Sequence, residues 1–237
     1  MIDESSRRRI AENWRHVCDE VADVAVRCGR KPMDIRIIGV SKYVNTDVTQ
    51  ALIDVGCRDL GESRPQSLWQ KAEQIGRAAM INWHLIGHLQ TNKVRRLLRQ
   101  RPVIHSIDSP HLIQCVADES IAQGLTTSVL LEVNISGDAA KTGLTPDSAE
   151  QLLDQLPVAG VNVVGLMAMA GWGTDPNKAR QQFERTRELR DRWQQRFGIA
   201  LPELSMGMSG DFAEAVAAGS TMVRIGSRLF EGIVEDT

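Results

Sequence analysis

Residues 35–42 read "IRIIGVSK". Apart from Arg36, the first six positions are apolar or glycine, and the run then turns polar at Ser41 and Lys42. A short run rich in β-branched residues reads as a strand of a buried sheet. Its lysine would be carried to the edge of that sheet. Similar runs recur at 57–61, 82–87, 103–107, 127–134, 160–168, 203–206 and 221–226. Helix-period stretches fall between them at 45–55, 64–79, 90–100, 109–123, 145–155, 177–197 and 211–218, and a shorter one begins near Ser227. Eight strands, each followed by a helix, predict a closed (β/α)8 TIM barrel over a single domain, 1–237. A doubly wound open sheet is the alternative. Ahead of the first strand, Ile10, Trp14, Val17, Val21, Val24 and Cys28 recur every three or four residues. This predicts an N-terminal helix within 1–30 that packs on the barrel, with a dimer seam as the other use of such a stripe. Gly29 and Pro32 mark its end.

The 237 residues are 42% hydrophobic and 24% charged, an ordinary globular balance. Lys and Arg number 28 against 30 Asp and Glu, a net charge of −2, so no global bias favours nucleic acid or a membrane surface. The opening "MIDESSRRR" lacks the apolar core of a secretory signal, and no stretch nears the roughly 18 apolar residues of a membrane span. Cys18, Cys28, Cys57 and Cys115 lie far apart with no C-x-x-C pair. Neither a disulfide framework nor a zinc site is expected, and a reducing cytoplasm is the default compartment. The segment 170–176, "AGWGTDP", reads either as a mobile loop near the active face or as a simple turn. The basic run "KVRRLLRQR" at 93–101 suits nucleic-acid binding or, more commonly, a solvated helix face.

In such a barrel the site forms at the C-terminal ends of the strands. Those ends collect Ser41-Lys42, Gly61-Glu62, His84, Gly87-His88, Asp108, Asn134, Met167-Met169, Gly207-Met208-Ser209, Arg224 and Gly226-Ser227. "GMSGD" and "RIGS" each lead from a strand into a helix, at the seventh and eighth ordinals, where this fold habitually cradles phosphate. The alternative is that Ser209 and Ser227 merely cap their helices. Burial disfavours an ammonium and makes a lysine amine nucleophilic. Lys42 opposite a phosphate cradle therefore suits a phosphorylated aldehyde such as pyridoxal 5′-phosphate (PLP). A Schiff-base aldolase, a phosphate-binding lysine and a lysine reaching out to solvent are the other readings. Arg224, in an otherwise apolar strand, is expected to point into the barrel mouth. There it would face a pyridine nitrogen as a donor only, or else pair with an acidic neighbour.

Several blocks together resemble the YggS/PROSC-type family of PLP homeostasis proteins. They are "GVSK" (39–42), "GCRDLGE" (56–62), "WHLIGHLQTNK" (83–93), "IHSIDS" (104–109), "LLEVNISGDAAKTGL" (130–144), "VVGLMAM" (163–169) and "LSMGMSGDFAEAVAAGSTMVRIGSRLFEG" (204–232). The resemblance implies a fold similar to the N-terminal barrel of alanine racemase. It implies that Lys42 holds PLP as a Schiff base, that Ser209, Gly226 and Ser227 contact the phosphate, and that Arg224 meets the pyridine nitrogen. Met208 and Ser63 complete the cofactor contacts it implies. The family's usual G-E-N-Y reads "GESR" here, so Ser63 stands for an asparagine and Arg64 for a tyrosine. His88 replaces a proline, and Ser227 a threonine.

The resemblance implies a protein that holds PLP and hands it on, with PLP-dependent apo-enzymes as candidate recipients, rather than one with robust turnover. Residue content agrees with that. Racemisation needs an acid/base on each face of the substrate. Lys42 serves one face; Cys57, His84 and His88 are the candidates for the other, and His84 also reads as a core histidine. Tyr43, the one tyrosine, should point away from Lys42 because strand neighbours alternate. With no second domain expected after Gly226, a monomer is the expected state. A small PLP-dependent racemase or lyase is the alternative function.

Overall fold

The structure, a computed structural model, describes residues 2–138, 142–171 and 173–233. Its strands are β1 (Arg36–Val40), β2 (Asp59–Glu62), β3 (Asn82–Leu85), β4 (Val103–Ile107), β5 (Thr127–Glu132), β6 (Val161–Met167), β7 (Glu203–Met208) and β8 (Met222–Ile225). The helices are α1 (Glu4–Arg27), α2 (Thr46–Asp54), α3 (Pro65–Ile75), α4 (Thr91–Leu97), α5 (Pro110–Ala122), α6 (Pro146–Leu153), α7 (Pro176–Phe197) and α8 (Phe212–Ala217). Every strand pairs in parallel with the next in chain order, and β8 returns to β1. The sheet is therefore the closed (β/α)8 barrel and not the open alternative. Trp172, in the segment read as a loop, lies outside the described residues.

Local chemistry sets the helix starts. Asp3, Asn45, Ser109, Thr145 and Asp175 cap α1, α2, α5, α6 and α7, each accepting from the backbone N–H three residues on. Pro65, Pro110, Pro146 and Pro176 open α3, α5, α6 and α7, where a missing N–H costs nothing. The pattern predicts single helices over 64–79 and 90–100, but the structure splits both. α3 stops because Gly76 takes φ +79°, and Arg77–Ala79 forms a separate 3-10 turn. α4 tightens into a 3-10 turn over Leu98–Gln100.

The layers meet in one apolar core. α7 lays Ala179, Phe183, Thr186, Leu189 and Trp193 inward at helical spacing. α1 buries Ile10, Val17, Val21, Val24 and Ala25, lying along α2, α8 and the 3-10 turn Ser227–Phe230. Of the expected stripe, Trp14 is half-buried, and Cys28 is exposed because the helix ends at Arg27. α1 also braces the end of the chain's path around the barrel: Asn13 Nδ2 donates to the carbonyls of Leu229 (3.2 Å) and Glu231 (3.1 Å). Arg228 donates to Glu20 at 2.5 Å. No described helix is long and apolar enough to cross a membrane.

Candidate functional site at the barrel mouth

Lys42 stands in the turn that follows β1. It is exposed, not buried, and its Nζ lies 4.7 Å from the centroid of the Tyr43 ring. Both facts correct the sequence reading, and for one reason. Strand pairing ends at Val40, so alternation no longer governs where residues 42 and 43 point. The backbone just before Lys42 is clamped from below. Ser41 Oγ donates to Glu62 Oε1 at 2.7 Å. The Lys71 ammonium donates to that same oxygen at 2.5 Å and to the Ser41 carbonyl at 2.7 Å. Ser41, Glu62 and Lys71 are all buried, and Glu62 Oε2 has no partner among the described residues. Lys71 escaped the sequence reading because a lysine inside an amphipathic helix carries no sign of burial.

The loops after β7 and β8 are joined: the Gly226 N–H donates to Ser209 Oγ at 3.2 Å. Neither serine caps a helix, since Asp211 precedes α8 and Gly226 precedes the Ser227–Phe230 turn. The capping alternative falls. Ser209 is half-buried, Ser227 is exposed, and Met208 is exposed with its N–H donating to Asp211 at 2.6 Å. Burial pushes the Asp211 carboxyl up, against the pull of that bond. Gly207 makes the corner. It takes φ +87°, and a Cβ there would sit 2.5 Å from Ala215 Cβ, so only glycine brings β7 this close to α8. Ser63, just past β2, is half-buried, and its hydroxyl has no partner among the described residues. Its carbonyl lies 2.3 Å from where a Cβ on Gly87 would be, so that glycine lets the loops after β2 and β3 touch.

Arg224 is buried inside the barrel. Its Nη1 donates to the Ser205 carbonyl (2.7 Å) and Oγ (2.6 Å), and its Nη2 to the Ala168 carbonyl (3.1 Å). No carboxylate pairs with it among the described residues. Nε–H and one Nη2–H are left without a protein acceptor there. Burial lowers its pKa to about 10, opposed by the charges of Asp211 and Glu132, so the guanidinium stays protonated at neutral pH.

From Ser205 a hydrogen-bonded row crosses the barrel interior. His105 Nδ1 lies 2.9 Å from Ser205 Oγ, His105 Nε2 lies 2.9 Å from His84 Nδ1, and His84 Nε2 lies 3.1 Å from Asp59 Oδ1. For neutral imidazoles, the two ends fix its direction. Arginine only donates and an ionised aspartate only accepts. Ser205 therefore turns its own O–H to His105, His105 donates through Nε2 to His84, and His84 donates through Nε2 to Asp59. Burial, with the charge of Arg224, holds His105 well below the usual imidazole range. Burial alone would raise Asp59, but the hydrogen bonds from His84 and Asn82 and the charge of Arg36 hold it below the usual carboxylate range.

The remaining candidates divide. His84 is not at the mouth: it sits in the barrel interior above Asp59, which begins β2, so its reading as a core histidine holds. Cys57 is fully buried, its thiol pushed up to about 12 by burial. His88 is exposed and its Nδ1 lies 3.0 Å from Asp108. Glu132, at the end of β5, was not singled out by sequence. It accepts from Thr142 at 2.7 Å, and burial pushes its carboxyl up.

Fold and mouth define a (β/α)8 barrel whose amine, hydroxyls and buried donor-only guanidinium gather at the strands' C-terminal ends. The chain is 36% identical over 220 residues to a pyridoxal phosphate homeostasis protein of Aquifex aeolicus, covering 92% of this chain and 96% of that one. Its structure matches PipY of Synechococcus elongatus, solved with PLP bound, at a TM-score of 0.83 and 31% identity, over 93% and 99% of the two chains. A Bifidobacterium adolescentis protein described as unknown matches at 0.91 and 33% identity, over 97% and 98%. Alanine racemase of Corynebacterium glutamicum shares the fold, with a TM-score of 0.72 at 13% identity over 97% of this chain and 63% of that one. No family model matches the chain. The chain belongs to the family of pyridoxal phosphate homeostasis proteins.

Proposed function

We propose that this chain binds PLP at the barrel mouth, and that holding the cofactor for delivery to apo-enzymes, rather than turning a substrate over, is its role. The observation that carries this reading is Arg224: a buried guanidinium with two N–H groups lacking a protein acceptor among the described residues, beside the joined turns at Ser209 and Gly226. Arg224 faces the pyridine nitrogen and, as a donor only, keeps it unprotonated. Ser209, Gly226 and Ser227 hold the phosphate, Met208 and Ser63 line the site, and Lys42 holds the aldehyde carbon as a Schiff base. Once bound, the cofactor supplies a reactive aldehyde and a ring whose electron demand Arg224 mutes. The names of the relatives and the PLP in PipY support the same ligand.

Inefficient turnover is in keeping with the state of the candidate second acid/bases, of which His88 alone is exposed, its Nδ1 3.0 Å from Asp108. Cys57 is buried in the outer layer, and His84 is committed to His105 and Asp59. Tyr43 beside Lys42 is the observation that favours a small racemase or lyase instead. Purified chain mixed with PLP is expected to gain a band at the edge of the visible, and Lys42→Ala to lose it. A wild-type chain that takes up no PLP would sink the reading. Saturable turnover of any amino acid, abolished in Lys42→Ala, would favour the enzyme.

A further inference from the structure

The barrel's other end carries a site that PLP does not explain. A cavity of about 470 Å³ opens at the N-terminal ends of the first strands, lined by Arg36, Asp59, Asn82, His84 and the arginines 77, 99 and 101. That is the size of a small-molecule pocket. Among the described residues no carboxylate lies within ion-pair distance of Arg77, Arg99 or Arg101. Arg36 is shared at long range between Asp59 (3.7 Å) and Glu203 (3.6 Å). The floor carboxylate, Asp59, is already engaged by His84 at 3.1 Å and Asn82 at 3.2 Å. What faces the opening is an excess of unspent guanidinium donors.

The backbone is arranged to put them there. The 3-10 turns Arg77–Ala79 and Leu98–Gln100 end α3 and α4 early, and each closes on a non-glycine residue in left-handed conformation, Met80 and Arg101, both at φ 50°. These are the positive-φ non-glycine residues among the described ones, and both line this cavity. Such a position usually falls to glycine or asparagine. The basic run at 93–101 is thereby divided. Arg96 turns away to stack on Trp69, 4.6 Å from its ring, while Arg99 and Arg101 reach the rim. A divided run on a chain of net charge −2 suits a compact anion better than a nucleic-acid track.

We infer that this cavity is a second ligand site, for a small multiply charged phosphate compound, at the end of the barrel opposite Lys42. Planar guanidinium forks converging on one concavity match phosphate oxygens. The inference does not depend on what the mouth binds.

Calorimetric titration of the full chain, loaded with one equivalent of PLP, with inorganic triphosphate at low salt tests it. Wild-type chain should bind. Arg99→Ala/Arg101→Ala, both exposed positions, should bind at least tenfold more weakly with an unchanged melting temperature. Ser209→Ala/Ser227→Ala should bind triphosphate as wild type does, which separates this site from the mouth. The inference is overturned if wild type shows no binding, or if the arginine variant binds equally well. It is also overturned if the serine variant is the one that weakens, or if single-stranded RNA binds more tightly than triphosphate.

Discussion

Ser205 is where the barrel's two interior demands meet. It takes an N–H from Arg224 and turns its hydroxyl to His105. Alanine in its place leaves Arg224 with the Ser205 carbonyl but strands His105 Nδ1 as a buried acceptor. The expected cost is about 1–3 kcal/mol, the usual penalty for an unsatisfied buried polar group. Urea unfolding of Ser205→Ala measures it. Nitrogen NMR should find His105 Nδ1 bare and Nε2 protonated in the wild type, and the reverse tautomer would refute the assigned direction. Little of this row was legible in the sequence. His84 and His105 are 21 residues apart, and nothing about either shows that β3 and β4 set them side by side. Arg224 was legible because a lone arginine within an apolar strand must find acceptors.

At the scale of elements, β1, β2 and α3 act as one unit beneath Lys42. Lys71 on α3 neutralises Glu62 on β2, and both hold Ser41. Removing one member of a buried pair leaves an uncompensated charge, with an expected loss of about 3–5 kcal/mol for Lys71→Met. The double variant Lys71→Met/Glu62→Gln should be more stable than Lys71→Met alone. Strictly additive losses would show that the two side chains do not act together. Strand and helix order was readable here because β-branched runs, prolines and capping residues punctuate the chain. The breaks after Ile75 and Leu97 were not, because the residues beyond them keep helical composition. The exposure of Lys42 was misread for a related reason: "VSK" continues the strand's pattern on paper, while the last described pairing is at Val40.

For the whole molecule, the buried polar row sets the response to acid. His105 is held well below its ordinary value by burial, so the unfolded chain binds a proton there that the native chain does not. Its contribution to stability is full above about pH 6.5 and is lost as pH falls below it. Asp59, held low, adds a loss in the same direction at lower pH. Glu132 and Asp211, raised by burial, act in the opposite sense across the carboxylate range. A comparison with His105→Asn isolates the histidine. Between pH 6.5 and 5.5, wild-type stability should fall more steeply than the variant's, by up to about 1.4 kcal/mol per pH unit. Parallel curves from urea melts would contradict this.

The same row has a consequence for charge movement. Linked imidazoles are the ordinary parts of a proton conductor. Here the donor end, Arg224, keeps its proton up to about 10, and the acceptor end, Asp59, gives its own up below the usual carboxylate range. Driving a proton down the row would mean taking it from a group that holds protons tightly to one that releases them in the acid range, a strongly uphill transfer. The barrel's axis is thus an insulator made of conductor's parts. It fixes orientation from one end to the other while keeping the protonation of the two ends independent.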